Sequence, residues 1–177
     1  MNRHSLYQGR LDGLCGIYSI VNALRIINNL NINEAERIFI DLTSHLHKKE
    51  ALFEAMTNGL FFKDMKELIT SDVVKPYCLE QKFPFVGKKN PTLPDYWAEL
   101  SGYLNNDQND RTAVIIGLSG KHDHWTVVRT ISKTSLYLQD SSWLKRLNRK
   151  NCTTATPSGH RQHILKPAQT CFLRGRA

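Results

Sequence analysis

The stretch Q-G-R-L-D-G-L-C-G-I-Y-S-I-V-N-A-L (residues 8–24) decides how the rest of the chain is read. Gly13 and Gly16 flank Cys15, and Ile17, Ile20, Val21 and Leu24 recur behind it at helical spacing. The spacing predicts a glycine-punctuated loop that delivers Cys15 to the first turn of a buried helix, with the helix N-terminus left open at the loop. There the unpaired N–H groups and the positive end of the helix dipole favour thiolate over thiol. A lone cysteine in an apolar helix is ordinarily a small core hydrophobe. The thiol therefore takes its meaning from what the remaining chain supplies.

With 177 residues, 41% of them hydrophobic, the chain is long enough for one sizeable core, and it is read as one domain over residues 1–177. No apolar run follows the charged first ten residues, and no stretch reaches the roughly 20 apolar residues of a membrane span, so no transmembrane segment is expected. The expected location is the cytoplasm or, for a secreted effector, export without a cleaved signal peptide. Cys15, Cys78, Cys152 and Cys171 form no CxxC pair and no Cys/His cluster at zinc-ligand spacing. Neither a metal nor another cofactor is expected, and four scattered thiols suit a reducing compartment. The formal charge of +8 is uneven: residues 121–177 carry 11 Lys and Arg against 2 Asp and Glu, whereas residues 1–120 carry 13 against 14. Such a basic third is a solvated surface or a face for an acidic protein, an anionic membrane or nucleic acid. No nucleic-acid module is recognisable, because the run K-R-L-N-R-K (residues 145–150) lacks interleaved aromatic residues.

After the Cys15 helix, which should end within residues 28–31, a second helix is expected from Asn33, with Glu36 completing a capping box. His45 and His47 close it beside Lys48 and Lys49 as surface cations at the negative end of the dipole. Residues 50–70 read as two short helices broken at Asn58-Gly59. Residues 71–94 form a proline-rich connector with short extended pieces at 73–74 and 83–86, and Pro94 then introduces a helix to Leu104. A polar turn over 105–110 follows. Strands are expected at 112–118, 124–131 and 135–138, with a last one at 169–173. This order, helices to about residue 104 and a mainly antiparallel sheet from about 112, is an α+β arrangement in two packed layers.

Three residue types complete the thiol's chemistry. His124 opens the second strand of that sheet and Asp140 follows the third, so antiparallel pairing can make them neighbours at one sheet edge. An imidazole can accept a thiol proton or persist as imidazolium beside thiolate, and a carboxylate fixes its tautomer. Gln8 can donate its side-chain amide to an oxyanion, with the Cys15 backbone N–H as second donor. Each residue has a plain structural alternative: a polar strand end for His124, a turn or cap for Asp140, an ordinary surface amide for Gln8. His122 is the main rival base, on the expectation that it shares a strand face with His124. Asn148 and Asn151 are weaker rivals to Asp140, and Asp12 is read as orienting the loop or capping the helix.

The set Gln8, Asp12-Gly13-Leu14-Cys15-Gly16, His124-Trp125 and Asp140 resembles the papain-like cysteine peptidases, above all compact bacterial branches such as bacteriocin-processing peptidases and papain-like toxin domains. It is distantly similar to Josephin-type deubiquitinases. The resemblance covers the order of elements along the whole chain but only about a dozen residues in identity, and Ile17-Tyr18 departs from the Ser-Cys-Trp type run that follows in papain itself. It implies Cys15 as nucleophile, His124 as general base and acid, Asp140 as orienting residue and Gln8 in the oxyanion hole. It further implies hydrolysis of a peptide or isopeptide bond through a thioester, on a protein or peptide substrate that is acidic if the basic third helps to bind it. Glutamine deamidation and acyl transfer, including transglutamination, use the same triad. A non-enzymatic binding module with a basic face is the alternative of another class. Neither the substrate's identity nor the oligomeric state is legible in the sequence.

Overall fold

The computed structural model describes residues 5–8, 12–105 and 111–176. The chain runs through helices α1 (Cys15–Asn28), α2 (Ile32–Lys48), α3 (Leu52–Asn58) and α4 (Phe62–Thr70), strand β1 (Leu79–Lys82) and helix α5 (Leu93–Asn105). Strands β2 (Thr112–Gly120), β3 (His124–Ile131), β4 (Ser135–Gln139), β5 (Arg146–Asn148), β6 (Cys152–Thr153) and β7 (His163–Gly175) follow. The fold is α+β, with N-terminal helices and a C-terminal sheet in the order β1-β7-β2-β3-β4-β5. That path is antiparallel throughout, and β6 pairs off it, parallel to β7. Among the described residues no helix is long and apolar enough to cross a membrane.

Helix α1 is apolar on most sides because it lies in the middle of the molecule, between α2 and the sheet. It stops at Asn29, which takes the left-handed conformation (φ +58°) that asparagine tolerates. The N-cap of helix α2 lies two residues before the expected Asn33. Asn31 is the N-cap, its side chain accepting from the Glu34 N–H while the Glu34 carboxylate accepts from the Asn31 N–H. Both N-x-x-E frames exist in the sequence; the earlier one prevails because it sets buried Leu30 before the cap and buried Ala35 one turn on, a hydrophobic staple.

The sheet is covered on both faces, so the molecule has three layers rather than the expected two. Ala113, Ile115, Trp125, Val127, Cys171 and Leu173 join the core under α1, whereas Val114, Ile116, Leu118, Val128, Leu165 and Phe172 join a second core under α5. Strand β2 therefore shows no polar alternation: Thr112 through Leu118 are all buried. The last strand begins six residues earlier than expected. Pro167 hides this, because its missing N–H is accommodated where the β2 pairing jumps from Lys166 to Thr170. Residues 73–74 and 83–86 form turns, and the extended piece between them is β1, a polar edge strand held by pairing with β7 and unmarked by its own pattern. The sheet thus also draws on the segment assigned to the helical part. The polar turn at 105–110 lies outside the described residues beyond Asn105, as do residues 9–11 of the glycine-punctuated loop.

Candidate functional site

Cys15 is the first residue of α1, and the preceding N-cap, Leu14, provides no side-chain cap. The Cys15 N–H has no intrahelical carbonyl partner, as at any helix start. Asp12 orients the approach by accepting from the Leu14 N–H (3.2 Å), in the loop-shaping role expected of it. The glycines around the thiol answer to close packing. Gly13 donates to the Met56 carbonyl (2.8 Å), and a Cβ there would come within 2.9 Å of the Ala55 and Met56 oxygens. A Cβ at Gly16 would meet Met65 and Leu60. The α3–α4 corner thus presses directly on the loop that carries the sulfur.

The strand register brings the other two residues to this corner. Val127 pairs with Gln139, so Asp140, one residue on, lies across from Thr126 and diagonal to His124. His124 Nε2 and Asp140 Oδ2 are 2.7 Å apart, with both side chains nearly or fully buried. The Cys15 side chain lies close enough to this imidazole to act on its charge, while the hydrogen bond its Sγ makes runs to the Gly13 carbonyl (3.8 Å). Burial works against the imidazolium, but the Asp140 hydrogen bond and the influence of Asp140 and Cys15 on its charge outweigh it and push His124 up to about 9. Burial likewise works against the Asp140 carboxylate. The His124 hydrogen bond and charge prevail, holding Asp140 below its ordinary value. Thr126, whose buried hydroxyl lacks a well-formed hydrogen bond, and the Leu144 N–H lower it further.

Residues 141–144 wind tightly around the carboxylate. The Ser142 and Leu144 N–H groups both donate to Asp140 Oδ1, at 2.7 and 3.0 Å. That leaves Trp143 at φ +68°, a left-handed conformation costly for a bulky side chain. Its ring stacks on Tyr7, centroids 3.8 Å apart and planes within 7°, although both residues are exposed. The N-terminal segment 5–8 is thereby laid beside the site. It is tied to α1 by Leu6 N–H donating to buried Asn22 (3.0 Å), and to the loop by Gln8 N–H donating to the Ser141 carbonyl (3.0 Å). The Gln8 side chain accepts from the Ser141 hydroxyl (3.2 Å) and donates to the Asp12 carbonyl. One amide N–H is therefore engaged in the loop.

Trp125 fixes the start of β3 by donating its indole N–H to the Leu60 carbonyl (2.7 Å). The expected rival His122 is not on a strand face with His124. It precedes β3 and stacks on His163 (centroids 5.2 Å, planes within 3°), so the face it was to share does not exist at that point. Asn148 accepts from Ser135 at the opposite end of β4, and Asn151 lies in the short helical turn that follows β5. A shallow basin of about 290 Å³, lined by His122, Asp123, His124, Ser142, Trp143 and Leu144, opens beside the imidazole. All four cysteines are free thiols, and among the described residues no group of three His, Cys, Asp or Glu side chains is disposed to hold a metal. Sequence reasoning missed Tyr7, Asn22, Ser141 and Trp143. Only the proximity of Ser141 and Trp143 to Asp140 offered a signal, and Tyr7 and Asn22 gave none. In comparisons with protein-family models, curated proteins and solved structures, nothing matches this chain.

Proposed function

We propose that the protein is a cysteine-dependent acyl-transfer enzyme of papain-like type that hydrolyses a peptide or isopeptide bond. The observation that carries this reading is the buried His124–Asp140 pair, 2.7 Å from Nε2 to Oδ2, set beside the Cys15 thiol at the start of α1. A binding module has no physical need for an imidazole raised to about 9 against a thiol at a helix N-terminus.

In this reading the Cys15 thiolate attacks the scissile carbonyl carbon, and the carbonyl π electrons move onto oxygen. The Cys15 N–H and the second N–H of Gln8 stabilise that oxyanion. The C–N bond breaks as His124 imidazolium protonates the departing amine, leaving a thioester on Cys15. Neutral His124 then takes a proton from water as its oxygen attacks the thioester, and cleavage of the C–S bond returns the thiolate. Asp140 acts through His124, holding the ring so that Nδ1 faces sulfur. An amine in place of water gives acyl transfer, and a glutamine side chain as donor gives deamidation, by the same steps.

Alkylation tests the reading. Iodoacetamide should modify Cys15 faster than the exposed Cys78, and His124→Ala should abolish the advantage. Equal, slow labelling of both thiols would sink it. Mass spectrometry of candidate proteins after incubation then separates the outcomes, since new termini mean hydrolysis and an amide-to-acid mass change means deamidation.

A further inference from the structure

A second basin, of about 630 Å³, lies at the other end of the strands that carry His124 and Asp140. Lys133 lines it from the β3–β4 turn, Arg149 and Lys150 from the turn after β5, and Arg161 from the segment before β7. Leu93 and Pro94, the first turn of α5, close one side and turn the positive end of that helix dipole towards it. No carboxylate lines the basin, and among the described residues none of the four cations is in an ion pair. The acid in the first turn of α5, Asp95, is hydrogen-bonded to the Thr92 hydroxyl at 2.6 Å.

The arrangement is partly pre-set. The Arg149 guanidinium lies 5.4 Å over the Trp97 ring, whose indole N–H donates to the Ser132 carbonyl at 2.8 Å. Four positive charges around one basin repel one another unless an anion of matching charge sits among them, and guanidinium groups suit phosphate oxygens in particular. The volume is that of a small-ligand site. β3 has eight residues, so the β3–β4 turn stands roughly 25 Å from His124, well away from the thiol.

We infer that this basin binds a compact ligand carrying two or more phosphate groups, either a soluble polyphosphorylated molecule or the headgroup of a phosphoinositide. Sodium tripolyphosphate, titrated into the full chain by calorimetry at fixed ionic strength, is expected to saturate at one per chain, with Cys15→Ala binding as wild type does. Lys150→Glu with Arg161→Glu should weaken binding at least about tenfold. Lys88→Glu with Lys89→Glu makes the same change in net charge outside the basin and should leave binding within about twofold. Thermal melts check that both variants fold, and should the basin pair not fold, Lys133→Gln, an exposed turn substitution, must weaken binding instead. Equal losses from the two pairs, absence of saturation, or tighter binding of a single-stranded oligonucleotide that tripolyphosphate does not displace would overturn the inference. Phosphatidylcholine vesicles with and without phosphoinositide separate the sources. Phosphoinositide-dependent capture that tripolyphosphate reverses assigns the lipid headgroup, and tripolyphosphate binding without capture assigns the soluble ligand.

Discussion

Cys15 and Cys171 are both buried, at 8% and 2% exposure, yet they occupy opposite chemical environments. Cys171 sits mid-strand on β7 in the core under α1, and burial pushes its thiol up to about 12. Cys152, under α5, behaves alike. Cys15 instead stands at a helix start beside an imidazole that is paired with a carboxylate. Burial alone makes a thiol inert; burial beside a cation that is itself anchored by a carboxylate is what a nucleophile requires. The sharpest way to break this contrast is to truncate each thiol in turn. Cys15→Ala should lower kcat by on the order of 10⁶-fold while leaving stability within about 1 to 2 kcal/mol. Cys171→Ala should instead retain turnover, at a stability cost of similar size, about 1 to 2 kcal/mol, through lost packing. Retained activity in the Cys15 variant, followed on any substrate that wild type turns over, would place the nucleophile elsewhere.

The next variant makes the Cys15 environment resemble that of Cys171. In Asp140→Asn the side-chain oxygen stays with the Ser142 and Leu144 N–H groups, so the NH₂ turns to His124 Nε2 and forces the proton onto Nδ1. A drop of roughly 10³ to 10⁴-fold in kcat/KM is expected from this inverted tautomer. The alkaline limb of the pH profile, set in wild type by loss of an imidazolium at about 9, should also move to lower pH, because burial still disfavours the cation and the carboxylate no longer opposes it. An unmoved limb would detach Asp140 from the mechanism.

How far the sequence led follows from which features are local. Cys15, His124 and Asp140 were legible because each marks an element boundary: the start of a helix, the start of a strand, the residue after a strand. Two of those strands are joined by a short turn that makes their ends neighbours. The second core was not legible. Residues 113–116, A-V-I-I, read as one apolar run whether a strand is covered on one face or two, and what covers the second face is α5, a separate element. Likewise β1, L-E-Q-K, carries no strand signal and is extended because long β7 offers it an edge. The Tyr7–Trp143 stacking and the Gln8–Ser141 contacts arise from a meeting of residues more than 130 apart in sequence, which no spacing rule reaches.

The same ion pair should appear in the stability of the protein. His124 rises from its ordinary 6.5 to about 9 on folding, so its contribution is fully present below pH 6.5 and is lost as the pH rises through about 9. Asp140, lowered from 3.8, contributes above that value and loses its contribution as the pH falls through its folded pKa. The pair is therefore at full strength between about pH 4 and 6.5, and it is worth at most about 3 kcal/mol. Thermal melts from pH 6.5 to 9 should show wild type losing more stability than His124→Ala, which is less stable at pH 6 but flatter. Parallel curves would mean that the imidazolium does not form the pair.

The smallest effect concerns the loop that holds the carboxylate in place. Trp143 at φ +68° carries the cost of a left-handed backbone, about 1 to 2 kcal/mol, set against a stacking contribution from Tyr7 of about 0.5 to 1.5 kcal/mol. Trp143→Ala keeps the strained backbone and loses the stacking. Trp143→Gly loses the stacking too but relieves the strain, less the extra freedom that glycine gives the unfolded chain. The glycine variant should therefore be the more stable of the two by roughly 0.5 to 1 kcal/mol, the opposite of what the same exchange does in an ordinary loop. Urea melts at one pH read this difference directly, and an alanine variant equal to or more stable than the glycine one would show that the turn around Asp140 is not strained. If the ordering holds and the alkaline limb of the glycine variant also moves to lower pH, Trp143 is a positioning residue that keeps two N–H donors on Asp140. It would then help to hold Cys15 apart in chemistry from the inert thiols of the cores.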